Sequence, residues 1–334
     1  MVFVWLFAML IVILIAAEVF TNALEHLGEK LGISEGVTGS LFAAVGTALP
    51  ETSVPLLALF AGTASKTTNE EIGIGAILGA PLMLATLSLS LMALSVLKRR
   101  GATGHLRPER TGVTRDLNYF IVAFLFAIAA LYVPHDSQLV RYLIGASMVM
   151  IYVVYVWMTL KSSKALVEEG HGTEAENDMF LCRLGLPNNW PVIIVQLLLG
   201  LVLLLLGAKG FINGVEEASH ILGISALMLS LLIIPIATEL PEKVNSILWI
   251  RKGKDTLAFG NITGALVFQG TLLPAIGIVL TPWVARTEVT LGIVITLIAA
   301  LWMRYLAARG GIRVWHLFVN GGLYLSYLAI VLIK

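Results

Sequence analysis

The chain is poor in charged residues and in cysteine. Only 13% of its 334 residues are Asp, Glu, Lys or Arg, whereas soluble domains carry about 25%. Cys182 is the only cysteine, which excludes an intrachain disulfide and a cysteine-rich metal site. The net charge of +1 comes without a basic cluster belonging to a folded soluble module. We therefore expect no nucleic-acid partner.

Sequence motifs of metal-dependent hydrolases are also missing. The six histidines form no HExxH motif, and the one G-x-S-x-G match, GISEG at 32–36, lies in a predicted loop and not on a strand-to-helix turn. It also lacks a DxxxD-type pair of the kind that holds a diphosphate and its metal. The sequence therefore predicts a protein that is not an enzyme and needs no bound cofactor.

More than half of the residues in the chain are apolar. They make up 58% of the chain, and the mean hydropathy is +0.90. Apolar runs of roughly 20 residues, each long enough to cross a bilayer, recur along almost the whole sequence. The first run has no basic stretch before it and no small-residue cleavage site, so we expect it to be retained as a helix. The prediction is an all-α integral membrane protein.

The runs divide into ten predicted transmembrane helices. Residues 161–189 form the only long hydrophilic connection, so they predict a linker between a first five-helix repeat, 1–160, and a second, 190–334. The predicted spans are 3–24, 37–62, 71–97, 117–134, 138–160, 191–214, 222–250, 256–281, 287–307 and 313–333.

The distribution of Lys and Arg predicts the orientation. With the N-terminus outside, 16 of the 22 basic residues fall in inward loops and only four on the outward side. Cytoplasmic loops carry this excess in membrane proteins. We therefore expect a multi-pass protein of the cell membrane, with both termini extracellular and the 161–189 linker cytoplasmic.

One segment of the chain occurs twice. Residues 20–51 and 211–242 align without a gap at an offset of 191, and 12 of the 32 positions are identical. Because each half has five spans, an odd number, the second copy enters the membrane in the opposite direction. Such inverted repeats place equivalent residues face to face near the bilayer midplane. A parallel duplication is the alternative, and the charge bias in the loops argues against it.

Both copies of the segment end in a Thr-x-Leu-Pro-Glu pattern, GTALPE at 46–51 and ATELPE at 237–242. Proline removes an N–H and displaces a carbonyl one turn back, and such carbonyls are tolerated at membrane depth only against protein, water or an ion. Ionisable residues within spans are costly and mark ion or proton pathways. With the Thr hydroxyls, these groups offer the oxygen ligands that hard cations require. The alternative is that each Glu is a structural residue, protonated or paired with a base.

At this point the chain resembles the calcium/cation antiporter superfamily, which includes sodium/calcium and proton/calcium exchangers. Those proteins carry two inverted repeats, each with a GTSLPE-like motif followed by a GN-x-x-GSN-like motif in the next helix. The resemblance covers essentially all ten spans. It implies that Thr47, Glu51, Thr238 and Glu242 line a central cation site, and that the first and sixth spans slide past a core during alternating access.

The second motif of each repeat departs from that family. GAPLML at 79–84 and GALVFQ at 264–269 lack the usual hydroxyl, and Gln269 takes the place of the family's Asn or Asp. Glu239 replaces a small hydroxyl residue in the seventh span, and Lys243 follows Glu242. The predicted metal ligands are therefore Thr47, Glu51, Thr238, Glu239, Glu242 and Gln269. Lys243 is either part of the site's charge balance or a structural counter-ion to Glu239.

The sequence thus predicts a secondary active antiporter that exchanges a divalent cation for H⁺ or Na⁺ across the bilayer. Ca²⁺ is the ion that the resemblance favours. Mg²⁺ or Mn²⁺ transport, Na⁺/H⁺ exchange and a cation channel are the alternatives, because an altered ligand set changes the size and ligand number of the cavity.

Overall fold

The computed structural model of the protein describes residues 1–30, 49–61, 65–167 and 178–333, and these are almost entirely helical. The helices are α1 (Val2–Lys30), α2 (Leu49–Ala61), α3 (Lys66–Met83), α4 (Leu89–Arg100), α5 (Arg110–Leu131), α6 (Gln138–Val167), α7 (Phe180–Arg183), α8 (Trp190–Leu222), α9 (Ala226–Thr238), α10 (Leu240–Arg251), α11 (Asp255–Leu280), α12 (Thr287–Arg309) and α13 (Val314–Leu332). A π-helical turn, Leu84–Ser88, joins α3 to α4.

Within the described residues, eight helical segments are long and apolar enough to cross a membrane. They correspond to eight of the ten predicted spans, which confirms the all-α membrane class. The predicted seventh span consists of two shorter helices, α9 and α10, and the described part of the second span is the short apolar helix α2. Large apolar side chains such as Leu143, Met150 and Trp157 are exposed along α6, as expected of a helix that faces lipid.

The described chain divides into two compact units, and each draws on both halves of the sequence. Unit 1 comprises Met1–Asn69 and Val153–Ile224, and unit 2 comprises Glu70–Tyr152 and Ser225–Lys334. In unit 1, α1 and α8 pack along their lengths, and α2 packs on both. Gly223, at φ +67°, ends α8 in the left-handed conformation that glycine adopts without penalty.

The helices α1 and α8 run antiparallel and meet through glycines. Gly200 lies against Phe20, and Gly210 lies against Met9, while the Trp5 indole Nε1 donates to the Gly210 carbonyl oxygen at 2.9 Å. Under the 191-residue offset, Phe20 is equivalent to Phe211 and Gly200 is equivalent to Met9. The contact of Phe20 with Gly200 therefore predicts a contact of Phe211 with Met9, and the observed contact, of Gly210 with Met9, is one residue away. The first helices of the two repeats are therefore related by a pseudo-two-fold axis, as the inverted-repeat prediction requires.

A hydrogen-bonded group of side chains fixes one end of this helix pair. The amide of Gln196, fully buried in α8, donates to Asn22 Oδ1 at 2.9 Å and to the Val19 carbonyl oxygen at 3.0 Å. Asn22 Oδ1 also accepts from the Phe180 backbone N–H at 3.1 Å. Asn22 thus joins α1 to α8 by hydrogen bonds, as polar side chains do between membrane helices.

The register of the pair also separates two intramembrane charges. Glu18 lies beside the Phe20 end of the contact and Lys209 beside the Met9 end, and both side chains are exposed. In this register Glu18 lies opposite residue 202 of α8. Lys209 is seven residues further along α8, a distance of about 10 Å at 1.5 Å per residue. The register of the helix pair therefore separates Glu18 from Lys209 along its length.

In unit 2, α3 and α4 form one long span interrupted by the π-helical turn. Pro81 supplies no N–H to the carbonyl four residues back, and the turn follows three residues later. The buried Asn320 of α13 donates its amide to the Ala85 carbonyl oxygen of the turn at 2.7 Å. The π-turn is thereby held from outside its own helix.

Two loops at the opposite end of α4 are tied together by a partly buried ion pair. Arg100 forms two hydrogen bonds with the Asp255 carboxylate, at 2.8 and 2.7 Å, and a third with the Ile250 carbonyl oxygen at 2.8 Å. Asp255 also accepts from the Arg107 backbone N–H at 2.8 Å. Asp255, at the start of α11, therefore joins the loops around residues 100–107 and 250–255 by a bidentate contact.

Candidate cation site

The predicted seventh span is broken at a single residue. The helix α9 ends at Thr238, Glu239 has φ −86° and ψ 10°, and α10 begins at Leu240. Pro241 in the first turn of α10 has no N–H for the carbonyl of Ala237, four residues back. The sequence therefore places the interruption immediately before the second copy of the Leu-Pro-Glu pattern.

The break buries one acidic and one hydroxyl side chain. Glu239 is fully buried and Thr238 is 1% exposed. The Thr238 hydroxyl donates to the Ile234 carbonyl oxygen at 3.1 Å, a bond that leaves the hydroxyl oxygen's lone pairs available to a cation. Both residues are predicted ligands, and both lie where a helix ends inside the hydrophobic part of the chain.

The buried ammonium of Lys243 reaches back across the same break. Its Nζ donates to the Pro235 carbonyl oxygen at 2.9 Å, and the side chain is 5% exposed. The Pro235 oxygen also accepts from the Glu239 backbone N–H at 3.3 Å. Lys243 is thus held by the end of α9 as well as by its place in α10, one turn from Glu239.

Two glycines of α3 bring that helix into direct contact with α9. A Cβ at Gly75 would lie 1.8 Å from Ser230 Oγ, and one at Gly79 would lie 2.5 Å from both the Leu231 carbonyl oxygen and Pro235 Cγ. Pro235 lacks the N–H that would bond the Leu231 oxygen. Gly79 approaches that carbonyl and the Pro235 ring closely, and Pro235 lies inside α9 without ending it. Gly79 of the altered GAPLML run therefore serves packing.

The second altered motif lies on α11, which packs against α10. Asn261 Nδ2 donates to Ser246 Oγ of α10 at 2.9 Å. Two turns further along, Gln269 is fully buried, and within the described part of the chain neither its Oε1 nor its Nε2 has a hydrogen-bond partner. A buried amide without partners costs free energy unless a ligand, water or ion satisfies it.

In unit 1 the first copy of the pattern opens α2. The helix α2 spans Leu49–Ala61, and Glu51 lies in its first turn with a side chain only 1% exposed. A carboxylate in the first turn of a helix is favoured by the helix dipole. Glu51 is thus buried at a helix start, as Glu239 is buried immediately before one.

Four of the six predicted ligands have side chains that the structure describes, and all four are buried: Glu51 in unit 1, and Thr238, Glu239 and Gln269 in unit 2. Thr47 and the side chain of Glu242 lie outside the described residues, as does the side chain of Asn245. That the six form one site stays a prediction.

Another buried acidic group, Asp116, escaped the sequence argument. Asp116 of α5 is 5% exposed and accepts from the Thr263 hydroxyl of α11 at 2.7 Å, and Arg115 lies 3.4 Å away. The sequence places Asp116 just before a predicted span, where a charged residue is ordinary. Its burial depends on the packing of α5 against α11, which no local pattern indicates.

A membrane protein with antiparallel repeat helices and a broken span that buries a carboxylate belongs to the class of secondary ion transporters. Residues 1–161 and 192–333 match the family model described as sodium/calcium exchanger protein. The chain belongs to this family, as the resemblance in its motifs predicted. It is therefore a cation antiporter by kind.

Individual relatives agree with the family assignment. The chain is 26% identical over 273 residues to the inner membrane protein YrbG of Escherichia coli, a match that covers 82% of this chain and 78% of that one. Its fold is similar to that of the H⁺/Ca²⁺ exchanger CAX, at a TM-score of 0.72 and 17% identity over 99% of this chain and 82% of that chain. It is also similar to the sodium-calcium exchanger NCX_Mj, at 0.61 and 18%, over 98% and 99%.

Proposed function

We propose that the protein is a secondary active antiporter of the cell membrane that exchanges a divalent cation, Ca²⁺ first among them, for H⁺ or Na⁺. The observation that carries the proposal is the break at Glu239. A fully buried carboxylate at the junction of two half-helices, where Pro241 supplies no N–H to the Ala237 carbonyl, is the arrangement by which broken-helix transporters bind cations.

The ligands in this proposal are Thr47, Glu51, Thr238, Glu239, Glu242 and Gln269. All six offer oxygen, which suits a hard divalent ion that takes six to eight such ligands. The unpartnered amide of Gln269 supports its membership, because a bound cation would satisfy its Oε1. The equivalence of Glu51 and Glu242 under the 191-residue offset supports the contribution of both repeats.

We favour H⁺ over Na⁺ as the counter-ion. The GAPLML and GALVFQ runs lack the hydroxyl that the family places in both second motifs, so fewer neutral oxygen ligands are present for separate Na⁺ positions. A carboxylate binds either a proton or a metal ion, and both Glu51 and Glu239 are buried. Carboxylates of this kind can exchange a proton for a metal ion.

The orientation of the chain in the membrane is part of the same proposal. The bias of 16 basic residues against four supports extracellular termini and a cytoplasmic linker at 161–189. The division into repeats 1–160 and 190–334 is supported by the antiparallel packing of α1 on α8.

Carboxylate-to-amide variants test the site. We expect Glu51→Gln, Glu239→Gln and Glu242→Gln each to lower divalent-cation uptake to that of protein-free liposomes, because each removes a negative charge from a water-poor site. Uptake of Ca²⁺, Mg²⁺ and Mn²⁺ into proteoliposomes measures this, and melting curves show whether each variant is folded.

The matched control is Glu217→Gln, at an exposed position of α8, which should transport like the wild type. Full activity in any of the three site variants removes that residue from the proposed ligand set. Loss of transport in Glu217→Gln would show that the assay reports on charge removal anywhere in the protein.

A further inference from the structure

The buried lysine at the helix break is not among the ligands of the proposed function, and the present inference rests on that function. Lys243 lies in the first turn of α10, is 5% exposed, and donates from Nζ to the Pro235 carbonyl oxygen at 2.9 Å. In the other repeat the residue after the Leu-Pro-Glu glutamate is Thr52. The positive charge therefore occurs in one repeat only.

The start of a helix is an unfavourable place for a cation. The helix dipole carries positive partial charge at the N-terminus, and a buried ammonium is costly unless it is paired and hydrogen-bonded. The favourable partner lies across the break, where the last turn of α9 ends in carbonyl oxygens with negative partial charge. Lys243 thus caps the C-terminal end of α9 from the first turn of the following helix.

Carbonyl oxygens at the end of a half-helix are also the groups that coordinate monovalent cations in transporters with broken helices. The Lys243 ammonium carries the same single positive charge as Na⁺ and bonds to the same kind of oxygen. It differs in being covalently attached, so it does not leave during a transport cycle.

We propose that the Lys243 ammonium permanently occupies a monovalent-cation position at the break of the seventh span, so that the protein binds no Na⁺ there. Removal of the ammonium leaves the Pro235 oxygen, the buried carboxylate of Glu239 one helical turn before Lys243, and a vacated volume, which together form a Na⁺ site. Lys243 is thus a residue that determines counter-ion specificity by filling one cation position itself.

Sodium-dependent thermal stability of the purified protein tests this without requiring transport. Melting curves are recorded in NaCl and in choline chloride at equal ionic strength for the wild type, Lys243→Met and Lys243→Arg. We expect the melting temperature of Lys243→Met to be at least about 2 °C higher in NaCl, because a ligand that binds only the folded state stabilises it. The wild type and Lys243→Arg should melt at the same temperature in both salts.

The matched control is Lys209→Met, which removes an exposed intramembrane ammonium of α8 and should show no difference between the salts. If Lys243→Met does not fold, Lys243→Gln replaces it with the same expectation, since the amide keeps a hydrogen-bond donor and loses the charge. A Na⁺-specific shift in the wild type overturns the proposal, as does the lack of one in the folded neutral variant.

Transport assays distinguish a failure of this inference from a failure of the proposed function on which it rests. A wild type that exchanges divalent cations, together with a neutral variant that does not respond to Na⁺, rejects only the role of Lys243. A wild type that carries no divalent cation rejects the proposed function.

Discussion

At the scale of single residues, Asp255 shows how one carboxylate stabilises several loops. Its side chain accepts from Arg100 twice and from the Arg107 backbone once. We expect Asp255→Asn to destabilise the protein by about 2 kcal/mol, because hydrogen bonds to charged groups contribute about 1.5–3 kcal/mol. The value lies in the lower part of this range because Arg100 is 19% exposed and solvent screens part of its charge. Chemical or thermal unfolding of the purified protein measures the loss.

Asp136→Asn provides the comparison, since Asp136 is exposed in the turn between α5 and α6 and its substitution should change stability by less than about 0.5 kcal/mol. Equal stabilities of the two variants would contradict the role given to the Asp255 ion pair.

The sequence predicted its site residues from a comparison of the two repeats, by what they share and by where they differ. Glu239 stood out because the equivalent residue in the first repeat is Ala48, and it proved fully buried. Asp255 and Asp116 did not stand out, because their partners Arg100 and Thr263 lie 155 and 147 residues away. Burial that depends on such distant contacts leaves no local pattern in the chain.

At the scale of secondary structure, the contact of α3 with α9 depends on Gly79. We expect Gly79→Ala to destabilise the protein by about 1–3 kcal/mol, the usual cost of overpacking, because the new Cβ would lie 2.5 Å from a backbone oxygen and from Pro235. It should also reduce transport, since α9 ends at Thr238 and leads directly into Glu239. Melting temperature and cation uptake are the two measurements.

Gly322→Ala in α13 is the matched substitution, because a Cβ there meets nothing within 4 Å. It should leave transport intact and keep or slightly raise stability, as alanine favours the helix. A Gly79→Ala variant as stable and active as Gly322→Ala would refute the close packing of α3 on α9.

The sequence predicted a kink or break at the Leu-Pro-Glu proline because Pro241 cannot donate an N–H. It did not predict that Pro235 stays within α9, or that a π-turn follows Pro81. Those outcomes depend on Gly79 and Asn320 in neighbouring helices. A proline shows where a helix is weakened, whereas its neighbours determine whether the helix ends there.

At the scale of the whole molecule, the duplicated segment predicted the relation between the first helices of the two repeats. The contact of α1 with α8 follows from it, because equivalent helices of inverted repeats cross antiparallel around their common axis. The identity of the transported ion does not follow, since it depends on ligand geometry that differs between the copies. Repeat two has Glu239, Lys243 and Gln269 where repeat one has Ala48, Thr52 and Leu84.

The central claim is obligatory exchange of a divalent cation for protons at the buried carboxylates. The most direct measurement records Ca²⁺ entry and lumenal pH together in proteoliposomes, under separately imposed H⁺ and Na⁺ gradients. We predict that Ca²⁺ entry is accompanied by proton exit, and that an outward H⁺ gradient drives it at least as fast as an outward Na⁺ gradient. Strict dependence on Na⁺ without any effect of pH, or Ca²⁺ flux without a counter-ion, would contradict the account.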